Sequence, residues 1–151
     1  MTILKYLIEN LSGDISYVYV GSEMDLDSDE YDIDKIYKEL EQLQKKTTIN
    51  ILSDKEINTI ALHDGSVVGA LWTAFDGEIY SFDVVVDPAF EGKGIGSELS
   101  NIGISEFYNY DEMGAKMELY VVNPRMEKLL SKKGFRKKKE VMGGTIMTYR
   151  N

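Results

Sequence analysis

The stretch Val84 to Leu99, VVVDPAFEGKGIGSEL, limits what this chain can fold into more than any other. Val84, Val85 and Val86 are consecutive β-branched residues and read as the end of a buried strand. Asp87-Pro88 stops that strand, because proline lacks the N–H a ladder needs and restricts the residue before it. Glycines follow at alternate positions, Gly92, Gly94 and Gly96, and then an apolar-periodic helix. A strand, a glycine loop and a helix N-terminus together aim unpaired N–H groups at one point, which suits a phosphate. Without Cβ atoms the loop can also approach an anion closely and reach positive φ.

Two familiar phosphate loops do not match. A P-loop needs G-x-x-x-x-G-K-[ST], and no such string occurs. A dinucleotide fingerprint needs G-x-G-x-x-G tight against the strand end and an acid about 20 residues on. Here the spacing is G-x-G-x-G, several residues intervene, and Asp111 precedes the next predicted strand rather than ending it. A glycine-rich turn with no ligand is the bland alternative. VVVDPAFEGKGIG instead resembles the acyl-CoA-binding signature of the GNAT superfamily of N-acyltransferases, V-x-P-x-x-[RQ]-G-x-G-[IL]-[GA]. Val86, Pro88, Gly92, Gly94, Ile95 and Gly96 match, while Glu91 stands where the family has Arg or Gln.

The periodicity predicts one domain over residues 1–151. A short N-terminal helix carries Ile3, Leu4, Leu7, Ile8 and Leu11 and stops by residue 14. Ile15–Val20 reads as a strand, and Ile33, Ile36, Tyr37, Leu40 and Leu43 as the stripe of a helix capped by Asp32 or Asp34. Ile57–Leu62, Val67–Phe75 and Ile79–Val86 form a meander turning at Asp64-Gly65 and Asp76-Gly77. The helix after the loop buries Ile95, Leu99, Ile102 and Phe107, and Met117–Val122 is the next strand. Asn123-Pro124 is an N-cap followed by proline at the first helical position, and Gly134 ends that helix. Phe135–Val141 and Thr145–Tyr149 predict a hairpin across Gly143-Gly144.

A second motif, Asn123 to Phe135 (NPRMEKLLSKKGF), is similar to the family's N-x-x-[AS]-x-x-[LF]-Y-x-K-x-G-F. The resemblance covers residues 15–150. It implies an α+β fold layered α/β/α, with a mixed, mostly antiparallel sheet that splays open, in the order α-β-α-β-β-β-α-β-α-β-β. It implies acetyl-CoA or another acyl-CoA as cofactor. Main-chain groups of Val84, Val85 and Val86 would bind the pantetheine arm. Residues from Gly92 to Ser97, that is Gly92, Lys93, Gly94, Ile95, Gly96 and Ser97, would bind the pyrophosphate, beside Glu91. Asn123 would hydrogen-bond the cofactor as well as cap its helix.

The catalytic signal is thinner. Direct transfer to an amine needs a base for the ammonium proton and an acid for the leaving thiolate. The family's usual Tyr acid falls on Leu130, and neighbouring Ser131 points elsewhere on the helix. The usual Glu base falls on the face of Tyr80 and Phe82, with Glu78 further from the loop. Asp83 matches an acid of one family variant, but alternation turns it to the opposite face, where a structural role fits better. Tyr80, Asp83 and Tyr120 are therefore the catalytic candidates. His63, beside Asp64-Gly65, reads as a surface turn residue.

Composition bounds the rest. A chain of 151 residues with 43% hydrophobic residues can bury one sizeable core. With no cysteine and one histidine it can make no disulfide, no cysteine-acyl intermediate and no thiolate or zinc site, so no metal is expected. No apolar run approaches a membrane span, and the N-terminus lacks a signal-peptide cleavage pattern, which predicts a cytoplasmic location and no membrane partner. A net charge of −9 argues against nucleic acid and for a cationic acceptor. Residues 23–34 concentrate acids (Glu23, Asp25, Asp27, Asp29, Glu30, Asp32, Asp34), a place that borders the acceptor site in the family. A small cationic amine or a protein lysine is the acceptor this implies. The alternative is a non-catalytic CoA-binding or protein-interaction domain. The basic hairpin near Lys137 and the N-terminal helix would then be candidate contact surfaces, including for a homodimer.

Overall fold

A computed structural model of the chain describes residues 15–20, 31–47 and 55–149. The predicted N-terminal helix and most of the acidic run lie outside the described residues. The elements are β1 (Ile15–Tyr19), α1 (Ile33–Thr47), β2 (Glu56–His63), β3 (Ser66–Phe75), β4 (Ile79–Val86), α2 (Ile95–Phe107), β5 (Lys116–Val121), α3 (Pro124–Lys132), β6 (Phe135–Val141) and β7 (Gly144–Tyr149). Short 3₁₀ turns at Pro88–Phe90 and Asp111–Met113 flank α2. Asp32 caps α1 through its carboxylate, which accepts from Lys35 N at 3.2 Å.

The strands form one sheet in the order β1-β2-β3-β4-β5-β7-β6. Every pairing is antiparallel except β4 with β5. Asp64 and Gly65 both have positive φ, 49° and 80°, and make the tight β2–β3 turn. The last hairpin turns at Met142-Gly143 rather than Gly143-Gly144, with Val141 opposite Gly144. Gly143 takes the positive φ, and Gly144 is flat against Val121 and Tyr120, where a Cβ would sit within 2.8 Å.

Alternation splits the core into two layers. Ile36, Leu40 and Leu43 of α1 pack on Val18, Ile60, Trp72 and Val85. On the other face Ile95, Leu99 and Phe107 of α2 and Leu130 of α3 cover Tyr17, Leu71, Tyr80, Phe82, Met117 and Met147. Two glycines let α2 lie close to the sheet. A Cβ on Gly69 would meet Ile95 at 3.0 Å, and one on Gly103 would sit 2.8 Å from the Phe82 ring. The close approach also lets Tyr80 Oη donate to the Gly103 carbonyl at 2.6 Å.

The parallel β4–β5 contact is brief. It holds only Ile79 opposite Lys116 and Tyr80 opposite Met117, after which the strands diverge. That divergence is the splay the family resemblance implied, and it leaves the C-terminal half of β4 with an open edge.

Candidate functional site

A cleft of about 460 Å³ lies where the sheet opens. Its floor is Val84 and Val86, one wall is the loop and first turn of α2 (Glu91, Gly92, Gly94 to Ser97), and the other is the start of α3 (Asn123, Arg125, Met126, Leu129). Asp87 N donates to the Val68 carbonyl at 2.8 Å, while the Asp87 carbonyl accepts from Phe90 N at 2.8 Å; by alternation Val85, two residues back, turns its main-chain groups to β3. The main-chain groups of Val84 and Val86 consequently point the other way, across the open seam. Val85 is the exception among the three expected residues. It pairs with Ala70 and buries its side chain under α1, so it stands behind the cleft rather than in it.

The loop is built to be open. Gly92 and Gly94 have φ of 79° and 82°, and nothing lies within 4 Å of where their Cβ atoms would be. Gly94 is the N-cap of α2, and no side-chain hydrogen bond caps it. The first-turn N–H groups of a helix have no intrahelical acceptor, so this end of α2 offers amide donors and a partial positive charge to the cleft. Asn123 caps α3 instead, its Oδ1 accepting from Arg125 N at 2.8 Å. The cap uses the amide oxygen and leaves the amide N–H₂ for other partners.

The charges around the rim are arranged across the gap. Arg125 Nη1 lies 3.2 Å from Glu91 Oε2, joining the two walls. Lys46, from the last turn of α1, reaches Asp87 at 3.3 Å and also borders the cleft. Lys93 does not border it; its ammonium lies 5.7 Å over the Phe90 ring. Lys133 Nζ bonds Ser97 Oγ at 2.9 Å and Asn101 Oδ1 at 2.6 Å, fastening the end of α3 to α2. Sequence reasoning did not single out Arg125, Lys46, Met126 or Leu129 as cleft residues. Arg125 had a signal, since it lies two residues past a clear N-cap.

Next to the cleft a narrower slot passes between the diverging strands, lined by Phe82, Asp83 and Val84 on one side and Leu119 to Asn123 on the other. Two of the three catalytic candidates meet there. Asp83 enters paired with Lys55, Oδ2 to Nζ 2.8 Å, and the Lys55 side chain is only 8% exposed. Tyr120 is half exposed and its hydroxyl donates to the Met142 carbonyl at 2.9 Å. Tyr80 does not join them. Its ring is buried among Phe82, Phe107 and Tyr110, and its hydroxyl serves Gly103. Burial, with the charge of Glu106 adding to it, pushes its pKa well above the usual tyrosine value. The reason the sequence suggested Tyr80, its position on the strand face leading to the loop, is also the reason it is sealed under α2.

Leu130, at the family's tyrosine position, is 1% exposed and part of the core. His63 ends β2, half-buried, 5.1 Å from the Phe90 ring and 3.4 Å from Asp64. Among the described residues no His, Cys, Asp and Glu grouping could hold a metal ion, and no helix is long and apolar enough to cross a membrane.

Solved structures share this architecture. Escherichia coli ElaA aligns at a TM-score of 0.65, 14% identical, covering 90% of this chain and 99% of that one. A GNAT family acetyltransferase from Elizabethkingia anophelis with acetyl-CoA bound aligns at 0.54, 15% identical, covering 92% and 99%. The ribosomal-protein-S18-alanine N-acetyltransferase from Escherichia coli aligns at 0.59, 12% identical, covering 89% and 90%. Comparison with curated protein sequences gives no significant match. The model of the acetyltransferase (GNAT) family matches residues 22–135, which include the open loop, the splayed strands and both helices that wall the cleft. The chain belongs to the GNAT acetyltransferase family.

Proposed function

We propose that the protein is an acyl-CoA-dependent N-acetyltransferase that acts on a cationic amine by direct transfer. The observation that carries this is the uncapped N-terminus of α2 behind a glycine loop with no atom over Gly92 or Gly94, opening onto the free edge of β4. Backbone donors and a helix dipole suit a diphosphate, and the free main-chain groups of Val84 and Val86 suit an extended amide-bearing arm. When bound, acyl-CoA would supply an activated thioester carbonyl. The chain's own residues would hold and orient it, with Met126 and Leu129 as the apolar wall. Main-chain groups of Ile95, Gly96 and Ser97 would face the diphosphate and Asn123 the arm, with Glu91 at the rim, while Lys93 stands off the cleft over Phe90.

For the acceptor, Asp83 at the slot supports attraction and orientation of an ammonium group, and Tyr120 Oη a hydrogen bond to it. Because Asp83 is already ion-paired with Lys55, proton removal falls to water in this scheme. Positioning alone supplies much of such a rate. The acidity of residues 23–34 and the net charge of −9 favour a polyamine, an aminoglycoside-like compound or a protein lysine. Replacing Asp27, Asp29 and Glu30 together should raise KM for that acceptor at low salt.

The test is thermal melting with acetyl-CoA, CoA and NAD⁺ side by side, then assay of released thiol with an acceptor panel. Stabilisation by the first two alone, followed by acceptor-dependent thiol release, supports the proposal; stabilisation by none removes it. A second reading, a CoA-binding domain without catalysis, is favoured by Leu130, which puts a buried hydrocarbon where the family has its hydroxyl. Binding of CoA with no thiol release from any acceptor would select it.

A further inference from the structure

We propose that the Glu91–Arg125 ion pair is a clasp across the mouth of the cleft, and that Arg125 is the cation handed to the ligand's diphosphate when the clasp opens. The inference rests on the acyl-CoA reading above and adds to it a residue and a device. Glu91 belongs to the wall formed by the glycine loop, Arg125 to the opposite wall formed by the first turn of α3. Their 3.2 Å contact spans the same opening that Gly92, Gly94 and Gly96 border.

Each partner alone would act on an incoming diphosphate in the opposite sense. A carboxylate beside the bare amides of α2 would compete with the phosphate for the same donors and repel it. An arginine on α3 would attract it. Joined, they neutralise each other, and the carboxylate holds the guanidinium at the rim. Arg125 is 83% exposed on its side chain, so little packing is lost when it swings from one anion to another. Its main chain does not move with it, because Asn123 and the start of α3 fix the N–H at 2.8 Å. A guanidinium binds a phosphate in a fork with two N–H donors, better than it binds one exposed carboxylate oxygen at 3.2 Å. The exchange of Glu91 for phosphate is therefore favourable, with a cost that Glu91 sets.

The prediction is a coupling that a static surface pair would not show. Binding of CoA and of pantetheine, which lacks the diphosphate, is measured by calorimetry on the wild-type protein, Glu91→Gln, Arg125→Gln and the double variant. Glu91→Gln should tighten CoA about two- to fivefold by removing the competitor, and Arg125→Gln should weaken it about three- to tenfold. In the Glu91→Gln background the loss on Arg125→Gln should be larger than in the wild type, because the freed guanidinium contributes fully. Pantetheine affinity should be the same in all four. Circular dichroism and melting of each variant establish that it is folded. If Arg125→Gln leaves CoA affinity unchanged, or Glu91→Gln weakens it, the clasp is refuted while the cofactor reading stands. If wild-type protein binds neither ligand, the cofactor reading itself fails.

Discussion

Gly103→Ala is the most informative single change to the framework, because two physical effects predict opposite signs. In an exposed helix, alanine for glycine stabilises by about 1 kcal/mol. Here the new Cβ would lie 2.8, 2.9 and 2.9 Å from three atoms of the Phe82 ring, where carbon pairs prefer roughly 3.5–4.0 Å. Phe82 cannot retreat, since it is 3% exposed and meets the edge of Phe135 at 6.4 Å between centroids. The helix must move instead, by roughly 0.7 Å. Such a shift would stretch the 2.6 Å bond from Tyr80 Oη to the Gly103 carbonyl beyond the usual O–H···O range.

Overpacking costs about 1–3 kcal/mol and the weakened bond about 0.5–1 kcal/mol, so the balance against about 1 kcal/mol of helix propensity is a net loss of about 0.5–3 kcal/mol. For a chain of this size that lowers Tm by roughly 2–9 °C. Thermal and urea unfolding followed by circular dichroism would read it. Gly96→Ala is the companion variant, because its Cβ would lie 3.6 Å from Val86 Cγ2, an ordinary contact, so the helix-propensity gain is unopposed and stability should rise by up to about 1 kcal/mol. A Gly103→Ala protein as stable as the parent would show that the helix–strand distance is not set by this glycine.

Three further outcomes follow from the same contacts. Gly94→Ala meets no atom but forces a Cβ onto a φ of 82°, so it should cost about 1–2 kcal/mol in a urea melt and weaken CoA binding together with it. Lys55→Met removes the partner of Asp83, whose side chain is one-fifth exposed, and should destabilise by about 1–3 kcal/mol, while raising affinity for a cationic acceptor by freeing the carboxylate. Tyr80 is held neutral by burial in the folded state, so above pH about 10 the unfolded chain loses that proton and the folded chain keeps it. Stability contributed by this group is complete below that pH and declines above it. In Tyr80→Phe the alkaline fall of Tm should be shallower by up to one proton's worth, about 1.4 kcal/mol per pH unit.

Much of the frame was legible because its signals are local. Asp64-Gly65 needs positive φ and turns the meander; Asn123-Pro124 starts α3; strand alternation sends Asp83 to the face opposite Tyr80 and Phe82. The glycine loop was legible for the same reason, since its residues lie side by side in the chain. What periodicity does not encode is which partner fills a contact. Alternation placed Tyr80 on the right face, but only the approach of α2 over Gly103 decides that its hydroxyl is sealed. Val85 looked equivalent to Val84 and Val86 until the hydrogen-bond phase with β3 separated them. The run of bases after Lys132 is plain in the chain but its partners are not: Lys137 pairs with Glu127 at 3.0 Å and Lys138 with Glu118 at 2.7 Å. Arg125 opposite Glu91 is a pairing between residues 34 apart, visible only once the walls of the cleft are assembled.

The two-residue contact between β4 and β5 has a consequence for what can pair with the open edge of β4. Unsatisfied strand borders invite other chains to dock and aggregate, and proteins usually protect the outermost strands against this. Here a bare border lies in the middle of the sheet, inside a wedge that narrows to normal strand spacing at Ile79 and is walled by two helices. Because β4 and β5 are already paired at Ile79 and Tyr80, a second strand could not pair along the whole of β4 without parting them, whereas a short extended arm at the glycine-loop end needs no such parting. The open amides of β4 thus differ from those of an outermost strand, since only part of the strand is free for a partner to pair with.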